Sequence, residues 1–240
     1  MLLIKSEKVF LRHYNVCREL VLTNMIPFVD IHTHHLSKES GVFLYNNRFG
    51  FDSVIHTNSF FSVGIHPWDA HLKISTIEFQ ELITHPNCMA IGECGLDKLK
   101  GADLVKQQQM LEYQLKLAVE YHKPVIIHCV KAYDEIIKIC KVYHSSIPII
   151  IHGFNKSYEL LHQLLGKGFY VSLSRFAIQK PNFNFTEIPL EKLFLETDED
   201  CTMTIQEIYQ IASERFKMTQ EDLKNKIYSN FTTLFKINGR

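Results

Sequence analysis

Eight short apolar runs, set apart by stretches of helical periodicity, constrain this chain more than any other feature. They fall at Phe28–Ile31, Val42–Tyr45, Phe60–Ile65, Met89–Gly92, Val125–His128, Ile149–His152, Phe169–Leu173 and Leu193–Glu196. Each is nearly continuous rather than alternating, as expected of parallel strands covered on both faces. In Leu104–His122 the residues Leu104, Leu111, Leu115, Ala118 and Val119 recur at helical spacing with polar residues between, and Tyr133–Tyr143, Ser157–Leu165, Thr204–Phe216 and Gln220–Phe235 read the same way. Strand and helix alternating over 240 residues predict one α/β domain. Eight strands favour a TIM-type (β/α)8 barrel over an open doubly wound sheet. Only about ten residues separate Ile31 from Val42, short for a parallel crossover, so the barrel is expected to be shortened after its first strand.

Neither repeats nor linkers divide the chain, and the barrel is expected to occupy residues 25–240. Residues 1–24 mix apolar positions with Lys5, Lys8, Arg12, Arg18 and Glu19, which is not the apolar core of an export signal. They are expected to form an extension, with a helix packed outside the fold as the rival reading. No apolar stretch reaches the roughly 18–20 residues of a membrane span. Lys plus Arg and Asp plus Glu number 26 each, which excludes the basic excess needed for sequence-independent binding along a duplex. The six cysteines form no CxxC pair. That argues against a zinc ribbon and for reduced thiols in the cytoplasm. No protein partner is indicated.

Five of the runs end in a metal-capable side chain. FVDIHTHH places His32 and His34 one residue apart, so both imidazoles face the same side of an extended backbone. MAIGE, PVIIH, PIIIH and LFLETD add Glu93, His128, His152 and Asp198. In a parallel barrel the C-terminal strand ends share one face, which would gather all six. Four imidazoles and two carboxylates exceed one tetrahedral zinc site but suit two divalent ions (Zn, Mg or Mn) with Glu93 as a bridge. Two such ions can clamp the attacking and leaving oxygens of a displacement at phosphorus.

In that order, DIHTHH, GIHPW, AIGECGLD, KPVIIHCVKA, IIIHGF and LFLETD resemble the TatD-related metal-dependent hydrolases and deoxyribonucleases, from about Phe28 to NKIYSNFTTLF. The resemblance implies a TIM-type barrel, a dinuclear site and hydrolysis of phosphodiesters, commonly at DNA 3′ ends. It implies one ion on His32, His34 and Asp198, another on His128 and His152, and Glu93 shared, with Asp198 also accepting the proton of the attacking water. His66 in GIHPW is similar to the family's histidine near the substrate phosphate.

Two departures bear on substrate. Val130 and Lys131 stand where the family often has an arginine and an acidic residue, so Lys131 is expected to supply a phosphate-binding point charge. After LFLETD the usual proline-bearing loop is missing. A small amide, lactone or phosphoester therefore stands as the alternative substrate, and a non-catalytic metal-binding scaffold as the alternative class. Asp97 is expected to brace the Glu93 loop, and Cys94 and Cys129 to face away from the metals; for the charge cluster Glu196, Asp198, Glu199 and Asp200 a solvated turn is the alternative, and only Asp198 is assigned a function.

Overall fold

In the computed structural model, residues 26–37, 40–52, 56–181 and 183–236 are described. The extension expected at residues 1–24 lies outside them. Eight strands form one sheet in sequence order, each parallel to the next: β1 Val29–Thr33, β2 Val42–Arg48, β3 Phe61–Gly64, β4 Cys88–Asp97, β5 Val125–Val130, β6 Ile149–Ile151, β7 Tyr170–Leu173 and β8 Leu193–Leu195. The sheet closes on itself through a parallel bridge between Thr33 and Asp198. This is the expected barrel.

Seven helices accompany the strands: α1 Thr76–Thr84, α2 Leu104–Glu120, α3 Tyr133–Cys140, α4 Tyr158–Gly166, α5 Arg175–Ile178, α6 Ile205–Phe216 and α7 Gln220–Leu234. Sequence periodicity did not anticipate α1, which buries only Phe79 and Ile83 and is started by Ser75, whose side chain accepts from the Glu78 N–H. Such a cap stabilises by about 1 kcal/mol. Among the described residues no helix connects β1 to β2 or β2 to β3. The consequence is visible in β2, where buried and half-buried positions alternate, while β1, β3, β6 and β8 are buried throughout. Phe43 and Tyr45 pack against the core from that less covered face.

Two terminal helices seal the junction of first and last strands. Along α7, Leu223, Ile227, Phe231 and Leu234 make a buried stripe, and along α6 Ile205, Ile208, Tyr209, Ala212 and Phe216 do the same. Tyr209 carries a polar tip into this apolar layer. Its hydroxyl donates to Val29 O at 3.0 Å and accepts from Val29 N at 3.2 Å, satisfying the first residue of β1, which would otherwise bury unpaired groups at roughly 1–3 kcal/mol each. Helix α2 also departs from a simple apolar-in, polar-out pattern. Gln107 and Gln114 are fully buried, because their amides replace missing backbone partners: Gln114 bridges N and O of Ile65, and Gln107 bridges N and O of Asp97.

Candidate metal centre

Barrel closure and ligand placement share the same residues. Asp198 N–H donates to His32 O at 3.0 Å and His34 N–H donates to Asp198 O at 3.1 Å, which seats Asp198 beside the HxH pair. Its Oδ1 lies 3.7 Å from His32 Nε2 and 3.6 Å from His34 Nε2, while Glu93 Oε2 lies 3.7 and 3.8 Å from the same nitrogens. These separations are too long for hydrogen bonds. Ligands about 2.0–2.2 Å from a common tetrahedral centre sit roughly 3.3–3.6 Å apart, so each carboxylate oxygen stands from the two nitrogens at a separation an ion could bridge with slight contraction. His32 supplies a second sign: Nε2 is buried with no hydrogen-bond partner, a cost an ion would remove. Burial, then the neighbouring His152, holds His32 far below the ordinary histidine range, leaving the neutral imidazole that metals require.

Glu93 is the hub. It was expected at the end of a strand, but β4 runs on to Asp97. Between Ile91↔Val125 and Cys94↔Ile127 the register slips, so Gly92 and Glu93 face the single residue Ile126. A bulge of this kind re-aims a side chain. Asn46 then locks it from β2: Asn46 Oδ1 accepts from Glu93 N at 3.0 Å and from Ser62 Oγ at 3.3 Å, and Asn46 Nδ2 donates to Glu93 Oε2 at 3.4 Å. Oε2 faces His32 and His34. Oε1 faces the other histidines, at 2.6 Å from His128 Nδ1, 2.7 Å from His152 Nε2 and 3.4 Å from His66 Nε2. The two carboxylate oxygens thus divide the imidazoles between them, as a bridging ligand must. Burial alone would raise the Glu93 pKa, but His152 and hydrogen bonds from His128, His152 and His66 hold it well below the carboxylate range. His152 is pushed in reverse. Burial opposes its charge, yet Glu93 and Glu196 keep it protonated well above the ordinary value, so an ion entering here must displace that proton.

His128 also lies inside its strand, since β5 continues to Val130. Its approach to Glu93 depends on Gly95, whose φ is 149° and where a Cβ would come within 1.9 Å of His128 O. Only glycine admits the two backbones at that spacing. Asp97 Oδ2 accepts from Trp68 Nε1 at 2.7 Å and stands 3.5 Å from His128 Nε2, and burial's upward pull on its carboxyl is outweighed by the Trp68, Leu99 and His128 contacts. His66 Nδ1 accepts from Trp68 N at 3.2 Å. Its proton therefore sits on Nε2, facing Glu93. Burial keeps this histidine below the ordinary range, and its place is inside the cluster rather than at the rim. Lys131 is exposed, in left-handed backbone just beyond β5, outside the bonds around Glu93. Cys94 and Cys129 are buried, with burial raising the Cys94 thiol well above its usual value and Cys129 to about 12.

Asn46 and Glu196 take part without having been foreseen. Asn46 sits in the run YNNR, which offers no hint of an inward carboxylate partner. Glu196, to which the sequence assigns no function, is fully buried beside His152. Alternation contained the signal, because Glu196 is two residues before Asp198 at the end of an extended segment. Three groups of side chains could each hold an ion: His32, His34 and Glu93; His32, His152 and Asp198; His66, Glu93 and His128.

A parallel eight-stranded barrel that gathers histidines and carboxylates into three groups, each able to hold an ion, defines a candidate metal-dependent barrel. The family model for TatD related DNase matches residues 51–236, and the chain belongs to that family. A curated relative from Edwardsiella piscicida, named 3'-5' ssDNA/RNA exonuclease TatD, is 32% identical over 146 residues, covering 57% of this chain and 56% of its own length. The chain thus spans just over half the length of such relatives. Among solved structures, YJJV, a TatD homologue from Escherichia coli K12, superposes with a TM-score of 0.72 at 23% identity over 87% of this chain and 98% of its own. A TatD family hydrolase from Entamoeba histolytica superposes with a TM-score of 0.71 at 17% identity, over 87% and 97%. These two likenesses establish the barrel.

Proposed function

We propose that this protein is a metal-dependent phosphodiesterase that acts on nucleic acid, with single-stranded 3′ ends as its substrate. Family membership, the name of the Edwardsiella relative and the donor geometry support the reading. The observation that carries it is that His32 Nε2 and His34 Nε2 each stand 3.6–3.8 Å from both Glu93 Oε2 and Asp198 Oδ1. His32, His34, Asp198 and Glu93 would hold one ion, and His128, His152 and Glu93 a second. When bound, two ions would supply positive charge to the phosphate and lower the pKa of water.

The chain's own groups have distinct tasks. Asp198 is one-third exposed at its side chain, so it can reach a water and take its proton, a contribution of about 10²–10⁴-fold. His66, held with its proton on Nε2 by Trp68, is placed to donate to a phosphate oxygen once Glu93 is engaged with metal. Lys131, exposed beyond β5, would offset phosphate charge from further out. Bulk solvent is excluded below the site by β1, β3, β6 and β8, which are buried end to end. No helix among the described residues is long and apolar enough to cross a membrane. We place the protein in the cytoplasm on its free cysteines, Cys88, Cys94, Cys129, Cys140 and Cys201 among the described residues.

One observation favours a smaller substrate. Only residues 199–203 separate Asp198 from the cap of α6, and Asp200 folds this link into a tight turn by accepting from Thr202 N and Oγ1 at 2.9 and 2.6 Å. A rim this low offers little grip on a long strand. Incubating the protein with 3′-labelled single-stranded DNA and with a chromogenic phosphodiester, with magnesium, manganese or zinc and beside Glu93→Ala, separates the readings. Metal-dependent shortening of the DNA supports the nuclease; turnover of the chromogenic ester alone supports a small phosphoester; turnover of neither leaves the amide, lactone or scaffold readings.

A further inference from the structure

The buried carboxylate of Glu196 has no place in the ligand set, yet it is clamped with care. Its Oε2 accepts from Ser172 Oγ in β7, and its Oε1 accepts from the Gly153 N–H at 2.6 Å. An amide of the same shape could keep the Gly153 bond and reverse the other, its NH2 donating to Ser172 Oγ. Burying a charge costs several kcal/mol even after relaxation, so the charge needs another reason. Glu196 Oε1 stands 3.7 Å from His152 Nδ1, and that nitrogen is buried with no hydrogen-bond partner. The ring's other nitrogen faces Glu93 Oε1 at 2.7 Å.

We propose that Glu196 is a positioning residue for His152: its charge holds the imidazole with the proton on Nδ1 and so frees Nε2 for the ion shared with Glu93. This rests on the dinuclear reading above. A neutral imidazole carries one N–H, and Nε2 cannot keep that proton and bind an ion together. Metal binding therefore requires the tautomer with Nδ1–H, and Glu196 is the acceptor facing it. A carboxylate behind a ligating histidine also raises the basicity of the ligand.

The support is unequal between the two halves of the site. His128 has the Asp97 carboxylate 3.5 Å from its outer nitrogen. His32 has no partner at Nδ1. Carboxylate backing thus belongs to the His128 and His152 side, and loss of Glu196 should weaken one ion and spare the other.

The test is calorimetric titration of metal-free protein with zinc and with cobalt(II), comparing wild type, Glu196→Gln and Ser172→Ala. Glu196→Gln keeps the volume and can still accept from Gly153 N. Wild type should bind two equivalents; in Glu196→Gln one should weaken about 10- to 100-fold with the other unchanged. Ser172→Ala keeps the charge, and should keep both affinities even where it lowers thermal stability. Equal affinities in Glu196→Gln and wild type, or the same weakening in Ser172→Ala, overturn the assignment. A single equivalent in wild type overturns the dinuclear reading and this inference with it. If Glu196→Gln does not fold, long-range ¹H–¹⁵N spectra of zinc-loaded wild type decide: His152 should carry its proton on Nδ1, and a proton on Nε2 overturns the proposal.

Discussion

Asp198 and His32 meet twice, once through the backbone, where Asp198 N–H donates to His32 O at 3.0 Å, and once through side chains, where Oδ1 and Nε2 stand 3.7 Å apart. The first contact belongs to the seam that closes the barrel. The second belongs to the proposed metal centre. Because Asp198 enters the seam only through its main chain, while side chains of Thr197, Asp30 and Thr33 add to it, the fold and the chemistry at this residue are separable by mutation.

Asp198→Asn should therefore leave the fold intact while removing the proton acceptor. Phosphodiester turnover should fall about 10²–10⁴-fold with a melting temperature within a few degrees of wild type. Comparing initial rates and thermal unfolding of the two proteins checks this. A variant that loses stability in step with activity would show that the side chain, not the peptide, holds the seam.

Asn46 makes a different prediction, because it acts on Glu93 rather than on any substrate. In Asn46→Ala the Glu93 N–H and Oε2 lose their partners at 3.0 and 3.4 Å. Metal affinity should fall about 10- to 100-fold, and stability by roughly 1–3 kcal/mol for the unpaired buried N–H. Metal titration and urea unfolding measure the two effects separately.

Gly95→Ala tests the close approach of β4 and β5. The added methyl would meet His128 O at 1.9 Å in backbone with φ 149°, so one strand must move. A loss of about 1–3 kcal/mol or more follows from such overpacking, together with weaker metal binding at His128. Wild-type stability and wild-type metal affinity in this variant would contradict the described strand spacing.

Asp30 sets a pH dependence. Burial pushes its carboxyl up to about 8, with hydrogen bonds from Thr197 opposing and the Glu196 charge adding to the rise. Unfolded, the group titrates near 4. Between those values the folded protein holds a proton that the unfolded chain has released, so this contribution to stability is complete below about pH 4 and is lost as pH rises through about 8, by at most ~1.4 kcal/mol per pH unit. Asp30→Asn removes the group. In metal-free protein, urea midpoints between pH 5 and pH 8 should fall for wild type relative to Asp30→Asn. Parallel profiles would show that Asp30 is not buried as a carboxylic acid.

Strand count and strand order, and the polar side chains that follow the apolar runs, were legible because continuous apolar runs and their terminal polar residues are local patterns. What remained hidden depends on contacts far apart in the chain. Helix α1 escaped because it buries only Phe79 and Ile83, too few for a helical period to register. The position of Glu93 within β4 was missed because a bulge leaves no mark in hydrophobicity, although Gly92 and Gly95 flank it. Gln107 and Gln114 looked like the solvated face of α2, since nothing local shows that Asp97 and Ile65 lack backbone partners. The burial of Glu196 was hidden for a related reason: among neighbouring acidic residues it is decided by Ser172 and Gly153, on other strands and loops.

The central claim is that Glu93 divides its two oxygens between two ion sites. Metal content after reconstitution with zinc or manganese and removal of free ion, measured on wild type and Glu93→Ala together, tests it most directly. Wild type should hold close to two ions per chain and Glu93→Ala should lose both, with His32→Ala retaining one. Fewer than about one ion per chain in wild type at saturating metal, or a Glu93→Ala protein that keeps its full complement, would contradict it.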